Sequence, residues 1–496
     1  MRIGRTKPPR LLVIGLDCAA PELVFDQWRS ELPNLNHLMS HGAYGRLRSC
    51  IPCITVPAWS VMTSSKDPGV LGIYGFRNRA DYSYDRMTLA TGSAVKEPRV
   101  WDLLGQAGYK VVTVGVPGTY PPRPVNGAQI SCFLTPQTVT RDESGRPKST
   151  VFTYPPELSG RVNDWAGGEY LVDVKQFRTE DKDFLLRQIY DMTRQHFVVL
   201  REMLRSQTWD FFMFVEMGTD RIHHGFWRFH DPAHSKFEPG NRYEHAIRDY
   251  YRYLDGELGR VLDLADDGRT VILVASDHGA KKMDGGICVN EWLRQAGWLA
   301  VDGDLPKEPT PMDKVRINWS KTRAWGEGGY YARIFLNVAG REPNGVIPAA
   351  GYEQARDELA SHLRLIPGPN GEDIGTQVFK PESIYRQVNG IAPDLLVYWG
   401  NLAWRSVGSL GHPQVWTMNN DTGPDDANHA QDGLLILYDP QKPAGGRELQ
   451  GLEIMDVAPT ILSYFGVPPL PDMQGRIITA NGDPRVSTSL FPGSEA

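Results

Sequence analysis

The feature that most constrains this chain is the run Thr270-Val271-Ile272-Leu273-Val274-Ala275, which ends in Ser276-Asp277-His278-Gly279. A short, β-branched stretch with no polar alternation reads as a strand buried on both faces. Such strands belong in a parallel sheet covered by helices. Open sheets of that kind gather ligands beyond the carboxyl ends of their strands. An aspartate and a histidine held there by a rigid strand are a suitable pair of ligands for one divalent metal. Taken alone, Asp and Gly after a strand also make an ordinary polar turn. The weight comes from other strand ends that carry the same cargo.

Leu11 to Leu16 is a second buried run, and Asp17 follows it. Asp210 to Met217 is a third, leading into Gly218-Thr-Asp-Arg-Ile-His-His224. Asp220 and His224 stand four apart, so both side chains face one way if that turn is helical. A Gly/Trp/Asn-rich loop over residues 400–428 delivers His429. Between the strands, helical spacing is predicted near residues 32–42, 101–108, 183–204, 243–264, 290–297 and 353–363. A further helix is predicted from Asp456 as N-cap to Phe465, with Gly466 as stop. The alternation of strand and helix predicts an α/β fold with a mostly parallel sheet. Its 496 residues exceed an ordinary single core. The reading is one large domain over 1–496 with inserted cap segments at 117–180 and 281–345.

Composition narrows the function classes. Hydrophobic residues at 41% and charged residues at 23% are those of a soluble globular protein. The net charge of −6, spread over this length, argues neither for nor against a charged partner; with no basic run, no nucleic-acid polymer is expected. No stretch approaches the ~20 apolar residues of a membrane span, and the apolar run after the basic N-terminus is too short for a secretory leader. Cys18, Cys50, Cys53, Cys132 and Cys288 are scattered without metal-ligand spacing, which reads as reduced thiols in a cytoplasmic protein.

Asp17, Asp220 and Asp277 with His224, His278 and His429 supply mixed oxygen and nitrogen ligands. That set suits two zinc-like or manganese-like ions rather than an all-oxygen cage. Two such ions ~3.5–4 Å apart clamp the attacking and leaving oxygens of an in-line displacement. Thr55, placed just ahead of a helix that Pro57 helps to start, is the candidate nucleophile. A plain capping role is the commoner fate of such a threonine. Cys53 reads as a buried thiol, and His196, on the apolar face of its helix, as a core histidine. Trp319, Trp325, Tyr330, Tyr331, Trp399 and Trp404 are able to stack on a base or aryl group, with packing the expected role for most.

In chain order, Gly15-Leu-Asp17, Ile54-Thr-Val-Pro-Ala-Trp59, Asp220-Arg-Ile-His-His-Gly-Phe-Trp227, Ser276-Asp-His-Gly279 and His429-Ala-Gln-Asp-Gly-Leu-Leu-Ile-Leu437 carry a resemblance. Together they resemble the alkaline phosphatase superfamily, in its type I phosphodiesterase/nucleotide pyrophosphatase branch. Within it, the chain is most similar to bacterial proteins described as predicted phosphohydrolases or phosphomutases. The closing Asp456-Val-Ala-Pro-Thr-Ile-Leu and Asp472-Met-Gln-Gly-Arg476 resemble that family's C-terminal end. The resemblance implies an alkaline-phosphatase-like three-layer sandwich, with helices on both faces of the sheet. It implies one metal held by Asp17, Thr55, Asp277 and His278 and a second held by Asp220, His224 and His429. Zinc is the expected ion and manganese the alternative. Thr55 would attack phosphorus to give a covalent phosphothreonine that water cleaves, and His223 would only support or pack.

One segment departs from the family. Diesterase relatives read Pro-x-x-His-Gly-Ile after the nucleophile, followed by an Asn that contacts phosphate. This chain reads Pro68-Gly-Val-Leu-Gly-Ile73, with Leu71 at the His place and Phe76 near the Asn place. Asn78 and Arg77, or Arg79, are the candidate substitutes. The expected activity is hydrolysis of a small phosphodiester or nucleotide-like ester. A phosphomonoesterase, phosphomutase or phosphotransferase on the same site is the alternative, and a non-catalytic ligand-binding relative a further one.

Overall fold

The computed structural model describes residues 10–136, 140–141, 147–148 and 150–479, so the basic stretch 1–9 lies outside the described residues. Three parallel strands occupy the middle of the main sheet, in the spatial order Val271–Ala275, Leu11–Leu16, Phe211–Glu216. Every residue in them is buried, as their uninterrupted apolar sequences require. Val111–Val114 and Gly127–Ile130 continue the sheet in parallel on one side. On the other side Asp432–Tyr438 runs antiparallel to Val271–Ala275, and Ala43–Arg48 runs antiparallel to Asp432–Tyr438. The ten-stranded sheet is thus mostly parallel, with antiparallel neighbours toward its edges.

Helices cover both faces. Lys182–Ser206, Gly218–His230 and Ala246–Ala265 pack on one another, and Thr55–Ser64 packs with Val457–Tyr464. The predicted apolar stripe of the first of these is buried at Leu185, Ile189, Met192, Val199 and Met203. A second, four-stranded sheet holds Ala324–Glu327, Ala332–Leu336, Leu395–Tyr398 and Gln377–Phe379. With Tyr352–Arg364 it builds a separate apolar core that includes Ile334, Leu336, Leu359, Leu363 and Val397.

Several local expectations are corrected. Within 117–180, read as an inserted cap segment, Gly127–Ile130 joins the main sheet and Leu158–Ala166 forms a helix. Its Pro- and Gly-rich surroundings hid that helix. Thr55 is the first residue of its helix rather than the residue ahead of it; Ile54, with extended backbone, is the cap. His429 comes from a strand, not a loop: Ala427–Ala430 pairs antiparallel with Gly279–Lys282, setting His429 opposite Ala280. Asp456 occupies the N-cap position of its helix but does not cap it with its side chain. Its carboxylate instead accepts from the backbone N–H groups of Glu453 and Arg476.

The C-terminal motif locks the end of the Thr55 helix. Gln474 N–H donates to the Ser65 carbonyl and Gly475 N–H to the Ser65 hydroxyl. Asp472 pairs with the buried ammonium of Lys66. At the other side of that helix, Trp59 lies against Gly15. A Cβ on Gly15 would stand 2.6 Å from the Trp59 ring, 2.7 Å from Val215 and 2.9 Å from the Phe214 carbonyl. Gly15→Ala is therefore expected to destabilise the fold by ~1–3 kcal/mol through overpacking. Urea unfolding measures this, and an unchanged midpoint would show that the Trp59 ring gives way freely.

Candidate metal centre

Leu16, Glu216 and Ala275 end neighbouring parallel strands, so the residues after them emerge at one edge of the sheet. Asp17, Asp277 and His278 follow directly. Asp220 and His224 ride on Gly218–His230, where helical spacing turns both side chains the same way. The turn whose helicity was conditional is a full helix. His429 arrives from the strand paired with Gly279–Lys282, and Thr55 from the start of its own helix. All seven side chains are buried.

They form two adjoining groups. Ligand atoms of Asp17, Asp277 and His278 lie within 4.8 Å of one another, and Thr55 Oγ1 is 3.5 Å from His278 Nε2. In the other group, His224 Nε2 is 3.2 Å from Asp220 Oδ2 and 3.3 Å from His429 Nε2. The His278 and His429 rings stack at 3.9 Å, joining the groups.

The imidazoles are aimed by their outer nitrogens. His278 Nδ1 faces the Gly279 carbonyl at 3.1 Å and His429 Nδ1 faces the Cys53 carbonyl at 2.8 Å. A carbonyl only accepts, so both Nδ1 atoms carry the proton and both Nε2 lone pairs point inward. His224 Nδ1 donates to Asp425 Oδ1 at 2.7 Å, which again leaves Nε2 for the interior. This is how proteins orient metal-ligating histidines. The carboxylates tell the same story: Asp17 Oδ1 and Asp277 Oδ2 are buried without a hydrogen-bond partner among the described residues. Orphaned carboxylate oxygens facing convergent imidazole lone pairs fit divalent cations.

Burial and mutual proximity set the electrostatics of the cluster. Burial, then the charge of Asp220, raises the Asp17 carboxyl well above its ordinary range. Burial and Asp17 do the same to Asp277. Against its own burial, Asp220 is held far below the usual range by His224 and Arg221. Against its burial, His224 is pushed up to about 10 by Asp425 and Asp220. Burial lowers His278 to about 4 and sends His429 well below its ordinary value.

Several functional neighbours carried no spacing signal. Trp59 Nε1 donates to Asp17 Oδ2 at 2.6 Å. Arg221 grips Asp173 through two bonds of 2.8 and 2.7 Å while also reaching Asp220. Its place next to Asp220 in sequence was the one available hint. Asp425, deep in the 400–428 segment, offered none. Cys18 N–H donates to Asp277 Oδ1 at 3.2 Å, and its sulfur lies within 4.8 Å of the Asp220 and His224 ligand atoms. His223 points away, toward the Tyr251 hydroxyl at 3.1 Å. His196 is bound to Glu216 and the Leu171 carbonyl. Cys53 is buried, with burial pushing its thiol up to about 12; all the cysteines are free and buried.

A cavity of about 1170 Å³ opens in front of Thr55. Arg77 lines it, together with Phe76, Phe133, Phe177, Trp319 and Tyr330. Asn78, a candidate phosphate contact, has its amide engaged locally: its Oδ1 accepts from Tyr74 N–H and its Nδ2 donates to the Gly75 carbonyl. Arg79 is buried in a pair with Glu342. Of the aromatic residues considered, Trp319, Tyr330 and the largely buried Tyr331 line the cavity, and Trp325, Trp399 and Trp404 are buried. Tyr330 stacks on His429 at 4.2 Å.

A family model described as type I phosphodiesterase/nucleotide pyrophosphatase matches residues 11–425. No curated protein matches the chain. Among solved structures, human ectonucleotide pyrophosphatase/phosphodiesterase 5 superposes with a TM-score of 0.53 at 11% identity, over 94% of this chain and 97% of that one. An inactive form of the murine protein, in complex with AMP, gives 0.53 at 11% identity over 93% and 96%. At that identity the likeness carries the fold. Among the described residues, no helix is long and apolar enough to cross a membrane.

Asp425→Asn weakens the acceptor that orients His224. Apparent zinc affinity is expected to fall about 10–100-fold, as read by competition with a chromogenic chelator; unchanged affinity would show that Asp425 does not support a ligand.

Proposed function

The chain belongs to the type I phosphodiesterase/nucleotide pyrophosphatase family of the alkaline phosphatase superfamily, and on that premise we propose that this phosphoric ester hydrolase acts on small phosphodiesters through Thr55 and two divalent metals. The observation that carries the reading is the inward convergence of three Nε2 lone pairs and two orphaned carboxylate oxygens beside the Thr55 hydroxyl. Asp17, Thr55, Asp277 and His278 would hold one ion, and Asp220, His224 and His429 the other, with zinc or manganese suited to the donor set. When bound, the ions supply Lewis acidity and stabilise charge on the attacking and leaving oxygens.

The protein's own groups do the rest. Thr55 Oγ1 attacks phosphorus, forming a P–O bond as the bond to the leaving oxygen breaks. Water then cleaves the phosphothreonine and restores the hydroxyl. The N-terminus of Thr55–Ser64 favours the negative charge that develops there. Arg221, anchored by Asp173, fixes Asp220. Tyr330 covers His429 and His224 and limits water around them.

Thr55→Ala is expected to lower turnover of bis(p-nitrophenyl) phosphate by at least about 10³-fold, the scale of losing a covalent nucleophile, while Asp17, Asp277 and His278 still retain metal, as read by atomic emission. Undiminished turnover would refute Thr55 as nucleophile. Removing metal with a chelator should abolish activity, and adding back zinc or manganese should restore it. Rates on p-nitrophenyl phosphate against the diester, with and without an alcohol acceptor, separate the monoesterase and transferase alternatives.

A further inference from the structure

Behind the His224 ring, the described residues show an imbalance of charge. Asp425 Oδ1 accepts from His224 Nδ1 at 2.7 Å. Its Oδ2 accepts from the Tyr330 hydroxyl at 3.0 Å and from Arg178 Nη2 at 3.4 Å, and stands 3.7 Å from Arg405 Nη1. One carboxylate therefore serves an imidazole, a phenol and two guanidiniums. Arg405 has a side chain only 3% exposed. Its Nη2 reaches Thr422 Oγ1 at 3.4 Å, but Nε and Nη1 have no hydrogen-bond partner among the described residues, nor has Arg178 Nε. Asp421, another carboxylate within electrostatic range of Arg405, is exposed and accepts from Gly408 N–H and the Ser409 hydroxyl. Buried guanidinium donors left unpaired are costly unless an anion completes them.

Position makes the imbalance useful. Arg178 and Arg405 line the same cavity as Thr55. They come from separate segments, and Gly423, next to the Thr422 that Arg405 contacts, lies directly against Arg178. A Cβ there would stand 3.2 Å from Arg178 Cβ, and its φ of +103° suits glycine.

We propose that Arg178 and Arg405 form a subsite for a second phosphate group of the substrate, beyond the phosphoryl group that reacts. The proposal rests on the phosphodiesterase reading of the Thr55 site and deepens it. Planar guanidinium forks suit a phosphate's oxygens. The preferred substrates are diesters or phosphoanhydrides whose non-reacting part ends in a phosphate, over diesters with neutral substituents. Arg178 and Arg405 are specificity-determining residues, not reacting ones.

The test compares wild type and Arg405→Gln on three probes: thymidine 5′-monophosphate p-nitrophenyl ester, the same ester carrying a 3′-phosphate, and thymidine 5′-triphosphate. For at least one phosphate-bearing probe, kcat/KM is expected to fall about 10–100-fold more than for the plain ester. Arg405→Lys should recover only part, since an ammonium keeps the charge and loses the fork. Arg178→Gln, at a more exposed position, should repeat the selective loss and covers the case in which the Arg405 variant does not fold. Equal losses on all three probes would overturn the subsite and leave Arg405 as a brace for Asp425. A wild type that cleaves the plain ester yet shows no selective loss in either variant sinks the subsite alone. A wild type that cleaves none sinks the diesterase reading and the subsite with it.

Discussion

The structure depends on holding three carboxylates, Asp17, Asp220 and Asp277, in one buried place. Charges removed from water are tolerated only when they are paired or ligate metal. The surroundings supply part of that compensation. Trp59, Cys18 N–H and Arg221 each satisfy one carboxylate oxygen, while one oxygen of Asp17 and one of Asp277 face inward unmet. Rigid parallel strands are what keep these like charges from moving apart. The rest of the chain, from the Gly15 contact with Trp59 to the Ser65 clamp, braces those strand ends.

Much of this was legible in the sequence because its causes are local. An apolar run without alternation reports a doubly covered strand, and the acid after it reports a strand end. Thus Asp17, Asp277 and His278 were readable from neighbours alone, and Asp220 with His224 from helical spacing. What stayed hidden depends on long-range pairing. His429 looked like a loop residue because only its pairing with Gly279–Lys282 makes its segment a strand. Asn78 looked available because nothing in its neighbours announces that Tyr74 and Gly75 would occupy its amide. Asp425, Arg178 and Arg405 meet across large sequence separations, which periodicity does not encode. Asp456 kept its predicted position, yet its carboxylate serves the Glu453 N–H of the preceding turn and, by tertiary contact, the Arg476 N–H.

The two larger apolar cores divide the labour. The main core fixes the strand ends and therefore the reacting groups. The smaller one, around Ile334, Leu359 and Val397, carries aromatic and polar groups to the cavity wall. Tyr330 and Arg405 come from segments bordering that smaller unit, so the wall is able to vary while the ligand edge remains fixed.

The clamp of Gln474 and Gly475 on Ser65 has a consequence for biosynthesis. The helix that begins with Thr55 is synthesised early, yet its far end is clamped by a segment 410 residues further along the chain. Asp17 likewise waits for His429 and for the Asp432–Tyr438 strand to fill the sheet beside Val271–Ala275. A nascent chain on the ribosome therefore holds scattered acids with no assembled pocket, and long-range closure of this kind is slow. The pocket closes in a late step, after the strands that carry His429 and flank Val271–Ala275 have been made.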